Sequence, residues 1–301
     1  MCGIVGLFSK SPATGERLGE HLGAMLGQLN DRGPDSAGVA IYRDPAPVGM
    51  TKVSLFSSDP RQDWEGVRAA FARAFGEVPE PEVRASHAVF VVDADVEAAL
   101  RWLRERHPEL RVMSAGRTIE IYKEAGLPSR FVDRFALQDI QGSHALGHTR
   151  MATESRVTTQ HSHPFSTGLD LCLVHNGSLS NHNRLRARLR REGIGFQTDN
   201  DTEVAAGYLT WRMREGAGLE EALEGCLRDL DGFYTFAVGT ADGFAVLRDP
   251  IACKPAVLAE SDDWVAMASE YRAIAVLPGA EEATVWEPSP GQVYLWERAL
   301  V

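Results

Sequence analysis

Long apolar runs are missing. No stretch approaches the roughly 18 residues that a membrane-spanning helix needs, so no membrane partner is expected. The N-terminal Met1-Cys2-Gly3-Ile4-Val5-Gly6-Leu7-Phe8 lacks the basic leader of a secretory signal, its first charge being Lys10. Positive charge is scarce as well: 31 Lys and Arg stand against 42 Asp and Glu, a net charge of −11. That balance disfavours nucleic acid and anionic membranes, because a phosphate backbone must be met by clustered cations. Cysteine is sparse, and Cys2, Cys172, Cys226 and Cys253 lie far apart with neither a C-x-x-C pair nor zinc-type spacing. Free thiols in a reducing, cytoplasmic setting are expected, with no metal. Neither an internal repeat nor a low-complexity segment interrupts the chain.

What is present is an ordinary globular composition, 44% hydrophobic and 24% charged over 301 residues, enough for a sizeable core and one or two domains. A short strand is read over 2–8. A helix follows with Leu18, Leu22, Met25, Leu26 and Leu29 on one face, then a loop over 32–38 and a strand over 39–43. Residues 45–82 read as less regular, punctuated by Pro45, Pro47, Pro60, Pro79 and Pro81. A strand at 85–92, a helix at 95–106 and strands at 110–115 and 117–123 make a β-α-β-like block, which reads as a subdomain inserted over 45–140. Beyond it, strands are expected at 144–149, 171–175, 256–259, 264–268 and 292–296. Helices are expected at 181–191, at 202–215 and around Leu219, Leu223, Leu227 and Leu230. A hairpin turns at Asp242-Gly243. Strands that come in consecutive runs favour antiparallel sheets with helices outside, an α+β layering. The Arg-rich stretch from Arg184 to Arg191 reads as the solvated face of a helix.

Cys2 differs from the other cysteines by position. Initiator Met is removed readily before a small side chain, and the exposed α-amine, with an ordinary pKa of roughly 7.7–8.0, is partly a neutral base near pH 7. One residue then supplies both thiol nucleophile and general base. On Met1-Cys2 alone, a small apolar start to a strand explains the residue as well.

The remaining motifs decide the matter. CGIVG at 2–6 is followed by RGPDSAG at 32–38, GHTRMAT at 147–153, HPF at 163–165, HNG at 175–177, DTE at 201–203, RDP at 248–250 and ASE at 268–270. In this order they resemble the class II glutamine amidotransferases, whose glutaminase domain belongs to the N-terminal-nucleophile hydrolases. The resemblance covers residues 2–43 and about 142–275 but not most of 45–140. It implies a four-layer αββα sandwich of antiparallel sheets over 2–301, with the 45–140 block inserted as a candidate docking subdomain. It implies that Cys2 attacks the glutamine side-chain amide, that Asn176 and Gly177 form an oxyanion hole, and that Arg150, assisted by Thr153, grips the substrate α-carboxylate. Asp201 would bind the α-ammonium, with Asp199 a competitor, and His163 would line the pocket. Arg32 would order the nucleophile end, with Asp35 its local partner. Asn176-Gly177 also fits a type I′ turn. His148, His161, His163 and His175 fit satisfied structural histidines better than a metal site or a Cys–His dyad.

Two departures from the family pattern stand out, Met151 after the Arg of GHTR and Glu154 after the Thr. Glu154 would weaken glutamine binding or shift preference toward another γ-glutamyl amide. The chain carries no P-loop, no G-x-G-x-x-G and no phosphoribosyl site. The ammonia-consuming chemistry is therefore expected on separate synthase subunits of a hetero-oligomeric complex. The architecture resembles most the amidotransferase subunit of N-methylglutamate synthase and related glutamate-synthase-like complexes, which implies no cofactor in this chain and FMN on a partner. Two other readings stay open: a partner-independent amidohydrolase acting on another amide, and a catalytically silent structural or regulatory subunit.

Overall fold

The structure, a computed structural model, describes residues 2–152 and 157–298. The chain opens with β1 (Gly3–Ser9), the short α1 (Pro12–Glu16), α2 (Leu18–Gly27) and β2 (Ser36–Tyr42). It continues through β3 (Thr51–Phe56), α3 (Trp64–Phe75), β4 (Glu82–Arg84), β5 (His87–Val92), α4 (Val96–Arg106) and β6 (Arg111–Gly116). Next come β7 (Ile119–Ala125), α5 (Pro128–Arg134), β8 (His144–Arg150) and β9 (Cys172–Leu179), then α6 (His182–Arg191), α7 (Asp201–Arg214) and α8 (Leu219–Asp229). The last part holds β10 (Gly232–Gly239), β11 (Gly243–Arg248), β12 (Val257–Glu260), β13 (Trp264–Ala268), α9 (Tyr271–Ile274), β14 (Thr284–Trp286) and β15 (Val293–Glu297).

Among the described residues, seven strands form one antiparallel sheet in the order β14-β12-β13-β1-β8-β2-β7, and four form a second in the order β15-β11-β10-β9. Side chains in a strand alternate between faces, and the burial follows that alternation. In β1, Val5 and Leu7 pack with Leu22, Met25 and Leu26 of α2, whereas Ile4 and Phe8 face Val174, Phe244 and Val246 of the second sheet. The second sheet does the same in reverse: Phe236 and Val238 of β10 meet the helices α6, α7 and α8, while Ala237 faces inward. Helix, sheet, sheet and helix stack as four layers, the αββα sandwich of the N-terminal-nucleophile hydrolases. Each fully buried Leu of α2 contributes roughly 1.5–3 kcal/mol to this packing.

A third sheet, β4-β5-β3-β6, carries α3 and α4 around its own cluster, which includes Val53, Phe71, Phe90 and Leu103. Its chain order β-α-β-β-α-β and its strand order match the split βαβ arrangement. This module spans residues 51–116. Within the remainder of 45–140, β7 pairs with β2 in the seven-stranded sheet, and Phe131 and Phe135 pack among the α2 leucines.

Several segments differ from the sequence reading, among them α5 (Pro128–Arg134), which it did not expect. Residues 45–82 are not irregular: Asp63 caps α3 by accepting from Gly66 N at 2.8 Å, and the helix buries only Val67 and Phe71 fully. So narrow a seam between proline-marked ends hides the helical period. β2 starts at Ser36, inside the expected loop, and β9 runs to Leu179, past the expected end at 175. No helix among the described residues is long and apolar enough to cross a membrane.

Phe71→Ala should remove about 3–5 kcal/mol from the module. Hydrogen exchange should then quicken across residues 51–116 while protection in β1 and β8 is kept, and equal loss in both would contradict a separate cluster.

Candidate active site

β1 lies near the middle of the seven-stranded sheet, paired on one side with β13 and on the other with β8. Cys2 is the residue just before it. The Cys2 carbonyl accepts hydrogen bonds from Arg32 Nε at 2.7 Å and Asn176 Nδ2 at 3.1 Å, and its Sγ lies 3.7 Å from Met151 O. Three of the quoted motifs therefore meet at the nucleophile candidate. The fourth is ASE: Ser269 Oγ accepts from Ile4 N at 2.9 Å and from Asn176 Nδ2 at 3.0 Å, and Glu270 forms an ion pair with Arg32. Ser269 and Glu270 received no role from the sequence, although the motif itself was visible there.

Asp35 was expected beside Arg32. Its carboxylate instead accepts from Ala152 N at 2.7 Å, and its N–H donates to Arg150 O at 3.0 Å, so it staples the chain leaving β8. The ion partner of Arg32 is Glu270, 238 residues further along the chain, a distance at which no local pattern signals a pair. Arg150, at the end of β8, is buried and donates from Nη1 to His161 O at 3.2 Å. Thr153, expected to assist it, and Glu154 lie outside the described residues.

Asn176 and Gly177 stand in β9, opposite Thr235 and Tyr234 of β10, and not in a turn. Gly177 has φ +147, and a Cβ there would come within 2.0 Å of Phe233 O and 2.7 Å of His175 Nε2. Glycine is required on both counts. α7 begins at Asp201 because Asn200 caps it, accepting from Thr202 N at 2.8 Å. The Asp201 carboxylate accepts from Leu179 N at 3.0 Å and lies 3.8 Å from His175 Nδ1. Asp199, the competitor, engages His161 at 3.2 Å.

A histidine cluster backs the site. His148 and His163 stack with ring centroids 4.0 Å apart, His148 Nε2 is 3.1 Å from His175 O, and Thr202 Oγ1 contacts both His163 Nε2 at 3.2 Å and His175 Nδ1 at 3.0 Å. Burial holds all three below the usual histidine range, His148 at about 3, so they are neutral at pH 7. No group of three or more His, Cys, Asp or Glu among the described residues could hold a metal ion. The other cysteines differ: Cys172 and Cys226 are buried, the Cys172 thiol pushed up to about 12 by burial, and Cys253 is exposed.

A buried sandwich of this topology, opening at Cys2 held by an asparagine and an arginine, fits the class II glutamine amidotransferases, and the chain belongs to that family. It is 55% identical over 99% of its length, and 98% of the other's, to the glutamine amidotransferase-like protein GlxB of Rhizobium meliloti (strain 1021). It is 31% identical, over 99% of its length and 100% of the other's, to a putative glutamine amidotransferase of Methanothermobacter thermautotrophicus. The family described as "Glutamine amidotransferase domain" matches residues 148–276. The solved glutamine phosphoribosylpyrophosphate amidotransferase from B. subtilis shares the fold, with a TM-score of 0.63 at 21% identity. The alignment covers 98% of this chain and 47% of that one, so this chain spans about half its length.

Two outcomes follow from the polar network. Ser269→Ala removes the acceptor of both Ile4 N and the Asn176 amide and should cost about 1–3 kcal/mol in urea melts, with glutaminase activity falling in parallel. Acid should be harmful too. His87, His144 and His148 are held at about 3 by burial, below the value of about 6.5 they regain on unfolding. Between those limits the unfolded chain binds protons that the native one does not, so stability is complete above about 6.5 and lost as pH falls below it. Denaturation at pH 5.5 should show a stability about 4 kcal/mol below that at pH 7.5, and a flat profile would contradict the neutral burial of these rings.

Proposed function

We propose that this chain is the glutaminase component of a hetero-oligomeric synthase. With Met1 removed, the Cys2 α-amine takes the thiol proton as Sγ attacks the glutamine Cδ. A tetrahedral oxyanion forms, for which the Gly177 N–H and the Asn176 side chain are the donors, each worth about 2.7–4 kcal/mol in the transition state. Asn176 serves by turning one of its two N–H groups away from the Cys2 carbonyl or Ser269 Oγ, which take both before substrate binds. The α-amine then passes the proton to the leaving nitrogen, and ammonia departs from a γ-glutamyl thioester. Water hydrolyses the thioester to glutamate and restores the thiol. Arg150, with Thr153, grips the substrate carboxylate as a planar guanidinium can. Asp201 takes the α-ammonium, His163 lines the pocket, and Arg32 and Asp35 hold the nucleophile end and the chain after β8. The single observation that supports this reading most is the hydrogen bond between the Asn176 amide and the Cys2 carbonyl, since it sets the side chain assigned as oxyanion donor beside the residue assigned as nucleophile.

The acceptor chemistry we assign to separate subunits, an FMN-containing synthase of the N-methylglutamate synthase type, with the 45–140 segment, and within it the 51–116 module, as the docking element. What supports this is the motif pattern, in which the 45–140 block interrupts an otherwise matching glutaminase core. The cytoplasm is the expected setting.

Mass spectrometry after exposure to 6-diazo-5-oxo-norleucine should find a covalent adduct on a Cys2 that has lost Met1, absent in Cys2→Ala. Arg150→Met should raise KM for glutamine about 10–100-fold. Turnover of penicillin- or bile-salt-type amides without glutamine turnover would support the amidohydrolase, and an inert Cys2 the silent subunit. Glutaminase activity should be low alone and rise when the FMN-containing partner co-purified from the host is added. High turnover without a partner would sink the channelling picture.

A further inference from the structure

Four residues stand side by side across the inner face of the seven-stranded sheet. Lys123 of β7 pairs with Gly38 of β2, Gly38 with His148 of β8, and His148 with Ile4 of β1. The segment 160–164, entering β9 from the region after β8, lies directly on this row. A Cβ on Gly38 would come within 2.1 Å of His163 O, which is why the position is glycine. The His163 ring rests on His148. At the outer end of the row Lys123 Nζ donates to Ser162 O at 2.8 Å, Pro164 O at 3.0 Å and Gln160 O at 3.5 Å, and sits 4.5 Å from the centre of the Phe165 ring. An ammonium has three donors, and three carbonyls of one strap take them. Lys123 is 4% exposed.

The same strap touches Arg150 directly and reaches the neighbours of Asn176 and Asp201. His161 O accepts from Arg150 Nη1 at 3.2 Å, His163 Nδ1 accepts from His175 N at 3.4 Å beside Asn176, and His163 Nε2 meets Thr202 at 3.2 Å beside Asp201. We propose that Lys123 is a positioning residue for the glutamine pocket: its ammonium clamps the 160–164 strap onto the sheet, and the strap sets the places of Arg150, His163 and Asp201. The proposal rests on the glutaminase reading of the site. Lys123 touches no substrate atom, so its loss acts on binding more than on the bond-breaking step.

The clamp carries a pH dependence. Burial lowers Lys123 to about 7, against the opposing pull of Glu203 on α7. The other titratable groups that feel it, His87 of β5 and His163 of the strap, are kept neutral by their own burial. As pH rises through about 7 the ammonium becomes an amine with two N–H donors for three carbonyls, and the strap loosens.

Steady-state kinetics on the full chain at pH 6 and pH 8 test this, with 6-diazo-5-oxo-norleucine labelling of wild-type Cys2 as the prior control. An unlabelled wild type would fault the glutaminase reading itself. Given labelling, Lys123→Met should raise KM for glutamine about tenfold while kcat falls less than about threefold. The wild-type rise in KM from pH 6 to pH 8 should vanish. Unchanged KM in folded Lys123→Met overturns the proposal. Should that variant fail to fold, Lys123→Arg decides, since a cavity of about 210 Å³ borders Lys123 and a guanidinium stays charged throughout. A flat KM in Lys123→Arg supports the clamp, and a wild-type-like rise overturns it.

Discussion

β1 is hydrogen-bonded along both edges, and this double pairing governs where the rest of the molecule can stand. Five of its residues are in register with β13 and six with β8. A slip of one residue would turn Val5 and Leu7 into the space between the sheets and Ile4 and Phe8 toward α2, exchanging two well-filled cores at once. The register is therefore tied to the packing of three layers. Since Cys2 directly precedes the paired residues, its position is inherited from the core and needs little local support. The two donors on its carbonyl and the Ser269 contact to Ile4 N then fix the orientation of the residue and not its location.

Charge is sorted around that point in a way the sandwich makes necessary. The wall formed by His148, His163 and His175 is polar but uncharged, because imidazoles enclosed between sheets are cheaper neutral. Apart from Lys123, the charged groups stand in turns, at a strand end or at the start of a helix: Arg32 with Glu270, before β2 and after β13, Arg150 at the end of β8, and Asp201 in the first turn of α7, where a carboxylate also suits the helix dipole. Rings inside and ions at strand ends leave the rim as the side from which a zwitterionic amino acid can be held at both of its charges. The same arrangement makes acid costly, since each enclosed ring must remain unprotonated for the sheets to stay packed.

Much of this was legible in the sequence, for identifiable reasons. Apolar runs bounded by turn signals, such as 3–9 and the two halves of 233–248, and helices with a wide apolar stripe, such as 18–29, declare their element type directly. The motifs CGIVG, RGPDSAG, GHTR and HNG mark where backbone meets backbone, and they gave Cys2, Arg32, Arg150 and Asn176 before any contact was known. What stayed hidden involved partners distant in sequence. Glu270 as the mate of Arg32 closes a gap of 238 residues, and Lys123 reads in isolation as an ordinary charged residue near a strand end. Asn176-Gly177 read equally well as a turn because an Asn-Gly pair with positive φ is the commonest turn signal. Here the positive φ of Gly177 serves close approach to Phe233 within a ladder.

The inserted module raises a question of leverage that topology answers. The chain leaves the sandwich at Tyr42 and returns at Ile119, and these two residues face each other in the β2–β7 ladder. Insertion at the open end of such a ladder costs little closure entropy, because its ends are already neighbours. The nucleophile lies beyond the other end of the ladder, where Ser36 pairs with Arg150, about 20 Å away along β2 at the usual rise per residue. The two ends are nevertheless in mechanical contact. β7 carries Lys123 under the strap, and the Gln197 side chain, four residues before Asp201, donates to Val112 O of β6 at 3.0 Å. A force applied to the module thus reaches the glutamine pocket through two routes, the strap and the segment leading into α7. Both act on residues we propose to hold substrate, and neither touches Cys2, whose position the core has already fixed.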